Sequence, residues 1–299
     1  VRPRGTGAPL GDSLTLPVAE TLHATYAVVF GDPPADPREL AREEVAARVA
    51  APLRGLVLGM LDSPMLTLDL RAAADFPPLP VDLITAYGAD PSELSAIASA
   101  AHVLAVRAAY RPGWPPAHEW AARAVAGAVA AARSAPVVDV FTPRVLERAD
   151  LLRSLPGPDG DIALTDWMLI EHSSGPHGFY FVTRGLARFG LPELQTEHVP
   201  PALVTPWSRL LNGLARRLLD LWLDELPGGE LPVFADLPDT VSVGLHDVAA
   251  AQGLHDPLHR EVSVRLRADT PALLTVLPAD DGPDRLENLC TALFGEGVT

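Results

Sequence analysis

The stretch Phe179-Tyr-Phe-Val-Thr-Arg-Gly-Leu-Ala-Arg-Phe-Gly-Leu-Pro-Glu-Leu194 sets the reading of this chain. Its aromatic and β-branched residues predict a strand that ends at Thr183. Gly185 and Gly190 then predict a turn, because glycine enters backbone conformations that other residues resist. Leu191 and Leu194 lead into a second extended segment, and the pair Pro192-Glu193 marks where it begins. Just upstream, Thr165–His172 and Gly178–Thr183 flank Ser173-Ser-Gly-Pro-His-Gly178, where glycine and proline supply the reversal of a hairpin.

Downstream lies the best-specified helix. Thr205-Pro206 offers an N-cap and a preorganised first position, after which Trp207, Leu210, Leu211, Leu214, Leu218, Leu221 and Trp222 recur at helical spacing. Burying one such leucine is worth roughly 1.5–3 kcal/mol, so this face is expected to lie on a sheet. Pro227-Gly-Gly229 ends the helix, and Pro227–Leu237 is the expected internal boundary. Beyond it, Thr240–Leu245, Glu261–Arg267 and Leu273–Leu277 are strand candidates, and a short helix is expected from Pro283 to Phe294.

Toward the N-terminus one order of elements occurs twice. His23–Phe30 is a strand, Gly31–Pro37 a proline-rich break, and a helix follows with Asp36 as its N-cap. Strands are expected at Leu56–Leu58, Met65–Leu70 and Val81–Tyr87. His102–Tyr110 is again a strand, Arg111-Pro-Gly-Trp-Pro-Pro116 again a break, Ala117–Arg133 a helix, and Val137–Val140 a short strand. The fold class expected is therefore α+β: duplicated ferredoxin-like split β-α-β units, in a mixed or antiparallel sheet with helices packed on one face. The expected division is a flexible tail over residues 1–20, a duplicated domain over 21–228, and a smaller C-terminal α+β subdomain over 229–299.

Composition excludes several chemistries. All 23 Lys+Arg residues are arginine, and Cys290 is the sole cysteine. Schiff-base catalysis, a phosphate-loop lysine, an intrachain disulfide and a cysteine-rich zinc site are thereby removed. The scarcity of lysine, isoleucine and asparagine, against abundant alanine, arginine, glycine and proline, is what GC-rich codons give. A formal net charge of −15 opposes binding to nucleic-acid phosphates. No run is long and apolar enough to predict a membrane span, and the first twenty residues lack the apolar core of a signal peptide. A cytoplasmic location is the expectation.

Candidate reactive groups are scattered. His255-Asp-Pro-Leu-His259 has metal-ligand spacing, but Pro257 disfavours the helix that would align the two rings, so the segment reads as a loop. The hairpin offers Glu171, His172 and His177, and the following segment Glu197 and His198; paired in a sheet, they could converge as acid–base groups or metal ligands. Asp139 reads as a turn aspartate at a strand end, and no Gly-x-Ser-x-Gly elbow is present. Gly5-Thr-Gly7 lacks the strand and helix of a nucleotide fingerprint. Arg184, Arg188 and Glu193 flank the turn, where the guanidinium groups could take an anion or a partner's carboxylate, or else pair with Glu193 and pin the turn.

The run Thr183-x-Gly-Leu-x-x-Phe-Gly-x-Pro-Glu-Leu194, with His102-Val-Leu-Ala-Val-Arg107, a Trp-Pro-Pro turn, an alanine-rich helix and Val137-Val-Asp139, resembles a family of uncharacterised bacterial proteins. The resemblance spans about residues 102–223 and implies an α+β domain without implying an activity. The function expected is a non-enzymatic, cytosolic binding protein, regulatory or immunity-type, whose partner is another protein. Candidate binding residues are Arg184, Arg188, Glu193, His172 and His177; no cofactor, resident metal, nucleic acid or membrane is expected. The alternative is a metal-dependent hydrolase built on His172, His177 and His198.

Overall fold

A computed structural model describes residues 13–156, 160–226, 229–280, 282 and 284–295. The chain is α+β, and it divides into two compact units. One, the inserted unit, comprises residues 19–169 with 188–190. The other, the flanking unit, comprises residues 13–18, 170–187 and 191–295. These bounds replace the expected division at residue 228, because sheet pairing joins strands from both sides of that point. Of the expected tail, residues 1–12, with Gly5-Thr-Gly7, lie outside the described residues, and Ser13–Pro17 (β1) is a strand of the flanking unit.

The inserted unit begins with Leu22–Phe30 (β2), followed by the helices Pro37–Arg48 (α1) and Leu53–Leu61 (α2). Asp36 caps α1 by accepting from the backbone N–H groups of Arg38 and Glu39. The expected strand at Leu56–Leu58 lies within α2. A short continuous apolar run does not distinguish a buried helix from a strand; here Leu53, Val57, Met60 and Leu61 are the buried positions, a helical spacing. Leu66–Ala72 (β3) comes next, then two helices, Val81–Ala86 (α3) and Pro91–Ala98 (α4). The segment expected as a strand at Val81–Tyr87 is thus helical. It buries only Ile84, as one turn lying on a surface does.

His102–Tyr110 (β4), Ala117–Arg133 (α5), Val137–Asp139 (β5), Arg144–Leu146 (β6) and Arg148–Arg153 (α6) complete the unit. Its sheet runs β3-β4-β2-β5-β6, with every neighbouring pair antiparallel. Between the core strands β2, β3, β4 and β5 the chain passes through α1 and α2, then α3 and α4, then α5. Helix α5 is buried from Ala117 to Ala130, almost all round, and its alanines let neighbours approach closely. A Cβ on Gly127 would stand 3.1 Å from the Leu151 Cβ of α6.

Helices α3 and α4 lie on the opposite sheet face from α5. Ile84, Leu94 and Ile97 pack with Ala27, Val29, Val103 and Val138, residues that alternate with those facing α5. Helices therefore cover both faces of this sheet rather than one.

In the flanking unit, Leu169–Gly175 (β7), Gly178–Arg184 (β8) and Glu193–Val199 (β9) form the predicted hairpin and its continuation. Val204–Glu225 (α7) starts one residue before the expected cap, and no side chain caps it. Phe234–Pro238 (β10), Thr240–Gly244 (β11), Leu245–Ala251 (α8), Glu261–Thr270 (β12), Leu273–Pro278 (β13) and Arg285–Phe294 (α9) follow. The six-stranded sheet has the order β11-β12-β13-β9-β8-β7, and β13 runs parallel to β9. That parallel pairing puts residues 193–195 beside 273–275 and makes one unit of segments expected in two domains. Strand β1 pairs antiparallel with β10 as a separate two-stranded ribbon. The apolar stripe of α7, including Trp207, Leu211, Leu214, Leu218 and Trp222, is fully buried in this unit.

Candidate functional site

The turn after β8 is locked by side chains that the sequence placed there. Gly185 and Gly190 both have positive φ, 118° and 83°. The Glu193 carboxylate accepts from the Thr183 hydroxyl at 2.7 Å and from the backbone N–H groups of Gly185 and Ala187 at 2.8 and 3.2 Å. Thr183 Oγ1 in turn accepts from the Leu194 N–H at 2.8 Å. Glu193 therefore pins the turn through Thr183 and the backbone, and through neither Arg184 nor Arg188.

The remaining predicted groups separate. Arg184 pairs with Glu171 on the exposed hairpin, and such surface pairs are worth about 0–1 kcal/mol. His172 stacks on Phe181, with ring centroids 5.4 Å apart, and leans on Phe179. His177 and His198 face one another at 5.8 Å between centroids, and His198 sits at a positive φ of 61°. His255 and His259 lie on a loop, as Pro257 requires. Among the described residues no group of three or more His, Cys, Asp or Glu is placed to hold a metal ion.

Arg188 is completely buried in the inserted unit, inside a charge network that the sequence did not reveal. Its Nη2 donates to Asp139 Oδ2 at 2.8 Å, and its Nη1 reaches Glu119 Oε2 at 3.2 Å and the Tyr26 hydroxyl at 3.1 Å. Tyr26 donates to Glu119 Oε2 at 2.7 Å. Arg123, one helical turn beyond Glu119 on α5, donates to the Tyr26 oxygen and lies 3.7 Å from Asp139; its guanidinium carbon sits 3.5 Å from the centre of the Trp167 ring. Asp139 also accepts from the Thr142 hydroxyl and from the Phe141 and Thr142 N–H groups, the strand-end turn read from the sequence.

The electrostatics follow from this geometry. Burial alone would raise the Asp139 carboxyl, but Arg188 and Arg123 outweigh it and hold the group below the usual carboxylate range. Burial would lower the Arg188 pKa, yet Asp139 and Glu119 raise it further. Tyr26 is pushed well above an ordinary phenol, chiefly by burial. His118 donates from Nε2 to the Arg188 carbonyl at 2.9 Å, and burial pushes its pKa down. These charges are spent on each other. Arg188 is consequently not available to a ligand.

A cleft of about 730 Å³ opens in the same unit beside this network. It is lined by the α3–α4 connection, by Arg144 to Glu147 on and after β6, and by Leu151, Ser154 and Asp166, with Arg123 at its inner end. Arg123 Nη1 donates to Ser154 Oγ at 3.0 Å, and both Arg123 and Arg144 donate to the Asp166 carbonyl, at 3.0 and 2.7 Å. The signal available in sequence was the Glu119/Arg123 pair, one turn apart in an otherwise alanine-rich helix; nothing local to residue 144 marks it.

No family model, no curated protein and no solved structure matches this chain, so the family and activity are not carried by likeness to any known protein.

Proposed function

We propose that this chain is a cytoplasmic, non-enzymatic binding protein of regulatory or immunity type that holds another protein. The supporting observation is the β1–β10 ribbon of the flanking unit. Neither strand pairs with a third strand among the described residues, so each has one edge without a strand partner. At the end of β10, Val233 and Phe234 are adjacent and 73% and 58% exposed. An open strand edge beside unburied apolar side chains suits addition of an extended segment from a partner.

The test is capture from cell lysate by immobilised protein, run beside the Val233→Asp/Phe234→Glu variant. The reading expects a specific protein retained by the parent and lost from the variant. Equal retention by both, or no retained protein across several growth conditions, overturns it.

The second reading, a metal-dependent hydrolase, is favoured only by the approach of His177 to His198. It requires stoichiometric metal in the purified protein that is lost on His177→Ala or His198→Ala. Its third expected ligand, His172, is turned against Phe181.

A further inference from the structure

We propose that the cleft at Arg144 in the inserted unit binds a small molecule through a single oxyanion group, a carboxylate or a phosphate. The buried network beside it already balances: Arg123 and Arg188 are two positive charges, Glu119 and Asp139 two negative ones. Arg144 is a fifth charge with no such partner. No carboxylate lies within ion-pair distance of it among the described residues, and its one protein acceptor is the Asp166 carbonyl. Its Nε is buried and makes no hydrogen bond. Burial pulls its pKa down, as expected of a guanidinium that has lost water without gaining a full counter-charge.

A guanidinium that lines the cleft is a natural receptor for an oxyanion, which accepts from its N–H groups. The volume, about 730 Å³, falls in the range of small-molecule sites. Ser154 Oγ and the Arg123 guanidinium line the same space and stand already bonded to each other, which fixes the inner wall. Asp90, Glu93 and Glu147 also line the cleft. Asp90 and Glu93 are engaged in the capping box of α4, so their positions are set; with Glu147 they repel polyanions and favour a ligand with one charged group. This site is independent of the β1–β10 ribbon and stands or falls separately from the capture of a protein partner.

The experiment is thermal unfolding of the full chain in sodium phosphate and in sodium acetate, each against sodium chloride at matched ionic strength. At an anion concentration ten times its dissociation constant, the unfolding equilibrium constant should fall about elevenfold. A phosphate-only response assigns a phosphate ligand and an acetate-only response a carboxylate. The Arg144→Met variant should lose the response, and without anion it should unfold no earlier than the parent, because Asp166 keeps Arg123 as donor. Arg144→Lys should retain a weakened response. No shift beyond that of chloride, or an undiminished shift in Arg144→Met, overturns the proposal. Should Arg144→Met prove too unstable to assay, Glu147→Gln removes a rim carboxylate and leaves the guanidinium intact: tighter anion binding supports the site, and unchanged affinity overturns it.

Discussion

Replacing Arg188 by methionine isolates the energetics of the buried network. The side chain is fully buried and contacts both carboxylates and the Tyr26 hydroxyl. Without it Asp139 keeps Arg123, Thr142 and two backbone N–H groups, but Glu119 keeps only the Tyr26 hydroxyl. Glu119 Oε1 already lacks a partner in the intact protein, so the variant strands a buried carboxylate with one hydrogen bond. Breaking one side of a buried ion pair costs about 3–5 kcal/mol. For a unit of this size that corresponds to a melting temperature lower by roughly 6–20 °C. The double variant Arg188→Met/Glu119→Gln removes the stranded charge and should recover part of the loss. Calorimetry on the parent, both single variants and the double variant reads the coupling directly. A single-variant loss below about 1 kcal/mol, or strictly additive effects, would refute the argument that these charges compensate one another.

Three further outcomes follow from particular groups. Asp139 has a depressed pKa in the folded protein, so its stabilisation is complete above the unfolded carboxyl value near 4 and is lost as pH falls through the lower folded value. Stability measured from pH 5 to pH 2 should therefore slope downward, and Asp139→Asn should flatten that slope while lowering stability at pH 7. Burial pushes the Cys290 thiol up to about 11, so a thiol reagent at pH 8 should leave the native protein largely unmodified and react on unfolding; equal rates in both states would contradict the buried position. Glu193→Ala removes three acceptor contacts from the turn after β8 and should cost about 1–3 kcal/mol, measured by urea unfolding, with Thr183→Val non-additive to it.

Legibility in the sequence tracked how local each signal was. Helix α5 was predicted at its observed bounds, because a proline-rich break, an alanine-rich segment and a following strand all lie within thirty residues. The turn at Gly185 and Gly190 was readable because positive φ is a property of single residues. Helices α2 and α3 read as strands because apolar runs as short as Leu56-Val-Leu58 and Leu83-Ile84 carry no period, and only packing shows which positions are buried. The pairing of β13 with β9 was invisible, since no local feature near Leu273 refers to Glu193. The network was hidden for the same reason. Tyr26, the Glu119/Arg123 pair, Asp139 and Arg188 come from four places in the chain, and Arg188 in isolation resembles a turn cation open to ligands.

The segmentation of the flanking unit constrains how the protein emerges from a ribosome. Thr15 bonds to Asp236, 221 positions later, so β1 waits for β10 while the inserted unit is synthesised. At roughly 5–20 residues per second that wait lasts about 10–40 s. The inserted unit cannot finish first in the simple sense either. A nascent chain ending at residue 169 holds Glu119 and Asp139 but lacks Arg188, so its interior carries one unmet negative charge until nineteen more residues are translated. Vectorial synthesis thus delivers the balancing cation of this network last.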